Sequence, residues 1–432
     1  MTLLQYTPLT PAHRNNVFSK MVQHSGLVYL RGGVTQERLN TDTEINFRQE
    51  SMFFYLTGVQ VAGYELILDL STKKSLLFIP RTDADHEVWC GKSPTLQDCK
   101  EKYLVDEVYY VDEIEAFLEK ASEIHFSIAI TESRVIKSEG EIAILREAAR
   151  ISGEAHIALM KKVKPGLNTE RQLHALFEYE CFRQGAQYQA YTPIVASGKA
   201  GATLHYTKND ANLTPNKDDM LLVDAGCELY CYASDITRTY PVGGKYNGDW
   251  KTTYEIVLET QKVVLNALKP GVKWEDMHRL SYRTICIGLQ MAGILVGDTE
   301  ELIENHIPAL FYPHGLGHFL GIDVHDCGGY QPGVERIQEP GIRYLRMRRT
   351  LEANMVVTVE PGCYFVDALL DPAVKDPNVS KYFNLEVLER FRKNVGGVRI
   401  EDDVVITENG IDNLTGWIPK TIEDVEKIMK QD

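Results

Sequence analysis

Two short apolar runs on either side of a turn, each carrying one aspartate, constrain the fold of this chain most. Met220-Leu-Leu-Val-Asp-Ala-Gly and Ser234-Asp-Ile-Thr-Arg-Thr-Tyr both have the composition of β-strands. A hairpin centred near Leu229 and Tyr230 sets Asp224 and Asp235 across from each other. Opposite Cβ atoms in such a pair are about 4.5–5.5 Å apart. Two carboxylates at that spacing repel unless a proton or cation lies between them, and apolar neighbours raise the cost. A divalent metal is the natural remedy, since hard cations take carboxylate oxygens. Alone, the pair also admits a plainer reading, with both acids turned to solvent.

Further along, Tyr312-Pro-His314-Gly-Leu-Gly-His318-Phe-Leu-Gly-Ile-Asp-Val-His325-Asp gathers three histidines among glycines and acids. The glycines predict close approach of backbone to a ligand, with His318 on a metal and His325 on a substrate. Met355-Val-Val-Thr-Val-Glu360-Pro-Gly reads as a buried strand ending in a carboxylate, and Gly397-Val-Arg-Ile-Glu401-Asp as another. Residues two apart share a strand face, so Arg399 and Glu401 should look into one space.

The chain has 432 residues, 44% hydrophobic and 25% charged, which predicts two or three globular domains. No apolar run reaches the roughly 20 residues that span a bilayer. The start, MTLLQYTPLTPAHR, lacks the pattern of a secretory signal. Eight scattered cysteines with no C-x-x-C pair predict reduced thiols and a cytoplasmic protein. A net charge of −15 argues against nucleic acid or anionic membrane as partners. Gly91-Lys92-Ser93 lacks the earlier glycine of a phosphate loop, and no G-x-S-x-G elbow occurs.

Residues 66–70 and 75–80 read as strands, Val111–Ala121 as helix and His125–Ile130 as strand. A boundary near residue 135 divides a 1–135 domain from a 136–432 domain. The second opens on a long helix capped by Ser138 with Glu141 three residues on. Helices follow over about 169–184, 252–268 and 274–292, with β-rich segments at 220–241, 355–365 and 396–407, while 367–381 reads as a loop. Helices, hairpin, helices and strands in that order predict an α+β fold with antiparallel sheet.

The ordered set Asp224, Asp235, His318, Glu360 and Glu401 resembles that of the pita-bread metallopeptidases, which include methionine aminopeptidase, aminopeptidase P and prolidase. The resemblance extends over nearly the whole chain and is greatest to the eukaryotic Xaa-Pro dipeptidases. It is carried by Phe47-Arg-Gln-Glu-Ser51, Trp89-Cys-Gly-Lys92, Tyr109-Tyr-Val-Asp-Glu-Ile114, Leu204-His-Tyr206 and the 314–326 run. It implies a C-terminal pita-bread catalytic domain, a smaller N-terminal mixed α/β domain of the aminopeptidase P and creatinase kind, and a homodimer in which Trp89 approaches the partner's site. A plain core position is the other reading of Trp89. The resemblance further implies two divalent metal ions, by analogy Mn²⁺, and a small peptide substrate cleaved by metal-activated water. Asp235 and Glu401 then bridge the ions, Asp224 completes one shell, and His318 with Glu360 the other. Thr237 stands close by, and Glu360 also shuttles protons. His205 and His325 hydrogen-bond the substrate, and Tyr191 and His314 join the pocket.

An Xaa-Pro bond has no amide N–H to grip, so the ring and a free end must be recognised instead. A guanidinium suits a proline carboxylate. Arg346 and Arg399 match the arginines that the resemblance assigns to that task; Arg343, Arg346, Arg348 and Arg349 also read as a basic surface loop. The reading is therefore hydrolysis of Xaa-Pro dipeptides. The alternatives are an Xaa-Pro aminopeptidase acting on longer peptides and, more remotely, an inactive pita-bread binding module.

Overall fold

The computed structural model describes residues 9–39, 43–82, 93–121, 123–125, 128–214, 216 and 218–430. Trp89 and the other residues of 83–92 lie outside them. The chain divides into two compact units, Met1–Val135 and Ile136–Asp432.

The first unit is built on a sheet of β1 (Leu27–Arg31), β2 (Glu65–Asp69), β3 (Lys74–Ile79), β4 (Glu107–Tyr110) and β5 (Ile124–His125), in the order β4-β3-β2-β1-β5. The central strands pair antiparallel and the two outer ones parallel. Leu66, Ile67, Leu68, Leu77 and Phe78 are buried, which is why these runs are continuously apolar. The Phe47–Ser51 segment is structural in this unit. Glu50 caps the helix Ser51–Thr57 by accepting from two backbone amides. Buried Gln49 accepts from the Gly33 amide at 2.7 Å and donates to the Val61 carbonyl at 2.9 Å. Two expectations need correction. Of the strand expected over 125–130, His125 is in a strand but 128–130 belong to the helix Ile128–Val135. Val111–Ala121 holds a 3₁₀ turn, Val111–Glu113, and one short helix, Glu115–Leu118.

The second unit opens on the helix Glu139–Lys162. Ser138 and Glu141 form its reciprocal cap, with acids in the first turn and lysines in the last, as the helix dipole favours. The helices Glu170–Phe182, Gly248–Ala267 and Trp274–Met291 complete a helical set, and no helix among the described residues is long and apolar enough to cross a membrane. The strands are short. β6 (Tyr188–Gln189), β9 (Cys227–Leu229) and β10 (Tyr232–Ala233) form one sheet. β7 (Ile194–Ser197), β8 (Met220–Asp224) and β11 (Thr237–Pro241) form a second. β12 (Val356–Val359), β15 (Asp402–Ile406) and β16 (Ile411–Asn413) form a third, and β13 (Gly362–Tyr364) pairs with β14 (Gly397–Arg399). All pairings in this unit are antiparallel, so the chain is α+β.

The hairpin forms with a register different from the one expected. Its turn lies at Tyr230 and Cys231, which both take positive φ, so Asp224 faces Thr237 rather than Asp235. Gly226 explains how Asp235 still arrives nearby. A Cβ there would lie 1.9 Å from the Ser234 carbonyl oxygen, so only glycine lets the two chains close between the aspartates. The segment 367–381 is likewise not a loop. It holds the helices Asp367–Lys375 and Pro377–Ser380, with Leu370 and Ala373 buried and Pro372 inside the first.

Candidate metal centre

β8, β11, β12 and β14 each deliver a polar side chain at or just beyond a strand end, and these meet in one cavity. Tyr191 donates its hydroxyl toward Asp224 and Asp235, 2.6 Å from an oxygen of each. His318 Nε2 lies 3.4 Å from Asp235 and 3.5 Å from Glu360. The Thr237 hydroxyl donates to Glu401 at 2.6 Å. Ligand atoms of Asp224, Asp235 and Glu401, and of His318, Glu360 and Glu401, fall within 4.8 Å of one another. Asp235, His318 and His325 form a third such group.

The glycines of the 314–321 run allow close packing against the protein's own backbone, and Gly315 and Gly317 also line the cavity. A Cβ at Gly317 would meet the Thr358 carbonyl at 2.1 Å, and one at Gly315 would meet the Leu345 Cα at 2.8 Å. Their absence lets residues 316–320 lie against β12, with Thr358 N donating to His318 O at 2.9 Å and Glu360 N to Leu316 O at 2.9 Å. His318 is thereby held beside Glu360. Its Nδ1 donates to the Phe319 carbonyl at 2.9 Å, which turns Nε2 toward the carboxylates.

Burial dominates the electrostatics. It raises the pKa of Asp224, takes that of Glu360 up to about 7 and drives that of Glu401 well above the carboxylate range. Burial acts the same way on Asp235, but the hydrogen bond and charge of His318, with Tyr191 and His325, together outweigh it and leave Asp235 below its ordinary value. Burial would lower His318; Asp235 and Glu360 outweigh it and raise its pKa. Four buried carboxylates thus face one arginine and one histidine. Tyr191 has a single proton for two aspartates. An oxygen-rich set with one imidazole and this excess of negative charge fits divalent cations.

The cage and the expected substrate residues line this cavity of about 1580 Å³: the four acids and one histidine of the cage together with Tyr191, His205, His314, His325, Arg346 and Arg399. They do not all present free groups to it. Arg399 donates to Asp224 at 2.5 Å, to the Tyr364 hydroxyl at 2.9 Å and to Thr237 at 3.1 Å. His314 is held through Nδ1 to the Gly315 carbonyl, 2.8 Å, and through Nε2 by the Tyr364 hydroxyl, 2.9 Å. Burial lowers its pKa to about 3 and that of His325, whose ring lies 4.4 Å from that of His318, to about 4. Arg346, exposed on the cavity wall, makes no ion pair with another described residue. His205 sits in a loop fixed from below: Glu170, fully buried, accepts from Ser197, from the Tyr206 hydroxyl and from the Ala211 amide.

Sequence reading missed Tyr364 and Asp403. Tyr364 bridges His314 and Arg399, and Asp403 accepts from the Asp235 amide at 3.2 Å. A tyrosine in an apolar strand reads as core, and an aspartate two after Glu401 reads as its neighbour's repeat. The shared strand face of 401 and 403 was the only available signal.

Residues 143–408 match the model of metallopeptidase family M24, and residues 11–127 match the aminopeptidase P N-terminal domain. The chain belongs to metallopeptidase family M24. It is 45% identical to human Xaa-Pro dipeptidase over 94% of its own length and 89% of that protein's. It is 42% identical to a probable Xaa-Pro aminopeptidase of Sordaria macrospora, covering 96% and 93% of the two chains. The structure of Pseudomonas aeruginosa aminopeptidase PepP superposes with a TM-score of 0.85 at 32% identity, covering 98% of each chain.

Proposed function

We propose that this protein is an Xaa-Pro dipeptidase. Its catalytic domain, residues 136–432, would hold two Mn²⁺ ions on Asp224, Asp235, His318, Glu360 and Glu401, and residues 1–135 form the N-terminal domain. A cytoplasmic homodimer is part of the same reading. Its support is the family, the likeness to human Xaa-Pro dipeptidase and the clustered ligands. When bound, such ions polarise a carbonyl and make water acidic enough to attack near neutral pH.

The chain's own groups supply the remainder. Glu360 can accept and return a proton at a carboxylate oxygen. His205 and His325 offer ring nitrogens to the substrate carbonyl and to the charge that develops on it. Tyr191 and His314 shape the wall. Arg399 orients Asp224. The observation that carries the dipeptide reading is the guanidinium of Arg346 on the wall of the same cavity, unpaired among the described residues, which suits the carboxylate of a C-terminal proline. A free carboxylate one residue after the scissile bond exists in a dipeptide and not in a longer peptide.

A second reading, removal of the first residue from longer Xaa-Pro peptides, has two supports. The cavity exceeds the volume of a dipeptide, and relatives such as that of Sordaria macrospora are named as aminopeptidases. Incubation with Mn²⁺ and either Gly-Pro or Arg-Pro-Pro decides between them. Turnover of Gly-Pro with little of the tripeptide is expected; rapid cleavage of the tripeptide alone overturns the dipeptide assignment.

A further inference from the structure

Beneath the strands that carry the cage lies a second polar cluster, facing away from the cavity. Side chains alternate along β11, so Thr237 and Thr239 face the site while Arg238 points the other way. Glu401 and Asp402 divide likewise. Arg238 is 1% exposed; it donates to the Glu401 carbonyl at 2.7 Å and pairs with Asp402 at 2.8 Å. Asp402 is bonded from its other oxygen by Lys420 and by Asn413. Lys420 also donates to Gln261 Oε1 at 2.8 Å. That contact fixes the orientation of the Gln261 amide. Gln261, fully buried on the helix Gly248–Ala267, then uses both protons of Nε2: one on the Val359 carbonyl at 3.1 Å, one on the Ile400 carbonyl at 3.2 Å. Those are the residues immediately before Glu360 and Glu401.

We propose that Gln261 and Lys420 are positioning residues of the metal centre, which clamp the backbones of Glu360 and Glu401 at one separation. The inference rests on the metal-centre reading above. One amide joins β12 to the residue that follows β14, in a different sheet, so the spacing of two candidate ligands depends on it. Lys420 keeps that amide from turning over, and the Arg238–Asp402 pair anchors Lys420. Groups that hold ligands in place typically govern metal affinity by roughly 10–100-fold.

The test is calorimetric titration of the metal-free protein with Mn²⁺, with folding followed by circular dichroism. Gln261→Leu and Lys420→Met should remain folded and bind Mn²⁺ roughly 10–100-fold more weakly. Lys420→Arg, which keeps a donor for both acceptors, should stay near wild type. Wild-type affinity in folded Gln261→Leu overturns the proposal. So does a Lys420→Arg protein as weak as Lys420→Met, because packing and not hydrogen bonding would then be at work. Should Gln261→Leu fail to fold, the Lys420 pair decides alone. If the wild type itself takes up no Mn²⁺, the metal-centre reading fails instead.

Discussion

Two arginines line one cavity and do different work. Arg399 is surrounded by acceptors of the protein itself, Asp224, Thr237 and Tyr364, whereas Arg346 has none among the described residues. Replacing Arg346 by alanine should therefore raise KM for Gly-Pro about 30-fold with kcat nearly unchanged, since a hydrogen-bonded charge contributes about 2 kcal/mol. Arg399→Ala should instead weaken Mn²⁺ uptake, because Asp224 then loses the guanidinium that orients it and keeps only the Tyr191 hydroxyl. Steady-state kinetics and metal titration on the two variants check this, and equal effects on KM alone would contradict it. At this scale the sequence was informative where chemistry is concentrated. Carboxylates in apolar strands and histidines among glycines stand out because burying them is costly. The direction of Arg399 did not stand out. Its spacing from Glu401 predicts a shared face correctly, but not that Asp224 lies across that face within reach.

The helix Glu139–Lys162 begins where its cap says it should. Ser138 N and Oγ both bond Glu141, and Glu141 also receives the hydroxyl of Tyr232 from the hairpin at 2.8 Å. Ser138→Ala should cost about 1 kcal/mol, read as a lower urea midpoint at unchanged slope; no shift would show that the cap contributes nothing. Caps of this kind are legible because they are local. The hairpin register is not. Its turn residues, Tyr230 and Cys231, adopt positive φ without the Asn-Gly signature that announces such turns. The helix Asp367–Lys375 was hidden by Pro372 and Pro377, which read as breakers. It is held from outside: Arg392 bonds Asp367 at 2.8 Å and Asp371 at 2.5 Å.

Across the whole molecule, acid should be more damaging than base because of two fully buried histidines. Burial pushes His156 and His278 down to about 3 from an ordinary 6.5. Both are neutral in the fold and gain a proton on unfolding once the pH falls below 6.5. The stability they allow is complete above that value and declines as pH drops toward 3, by about 1.4 kcal/mol per pH unit for each. Neither ring nitrogen of His278 has a hydrogen-bond partner among the described residues, so His278→Phe should fold and lose one such increment. Urea midpoints of the metal-free protein at pH 7 and pH 5 measure it; an undiminished pH dependence would mean that another group is responsible. The division into two units and the α+β order were readable from apolar periodicity and caps, whereas the joining of four strand ends into one cage depends on long-range pairing that no local pattern states. That cage is the centre of the account, and Gly-Pro hydrolysis by metal-free protein as Mn²⁺ is added back tests it most directly. No turnover without metal, full recovery with it, and none at any Mn²⁺ concentration in folded Asp235→Asn are the expected results. Undiminished cleavage by the metal-free protein or by Asp235→Asn would contradict it.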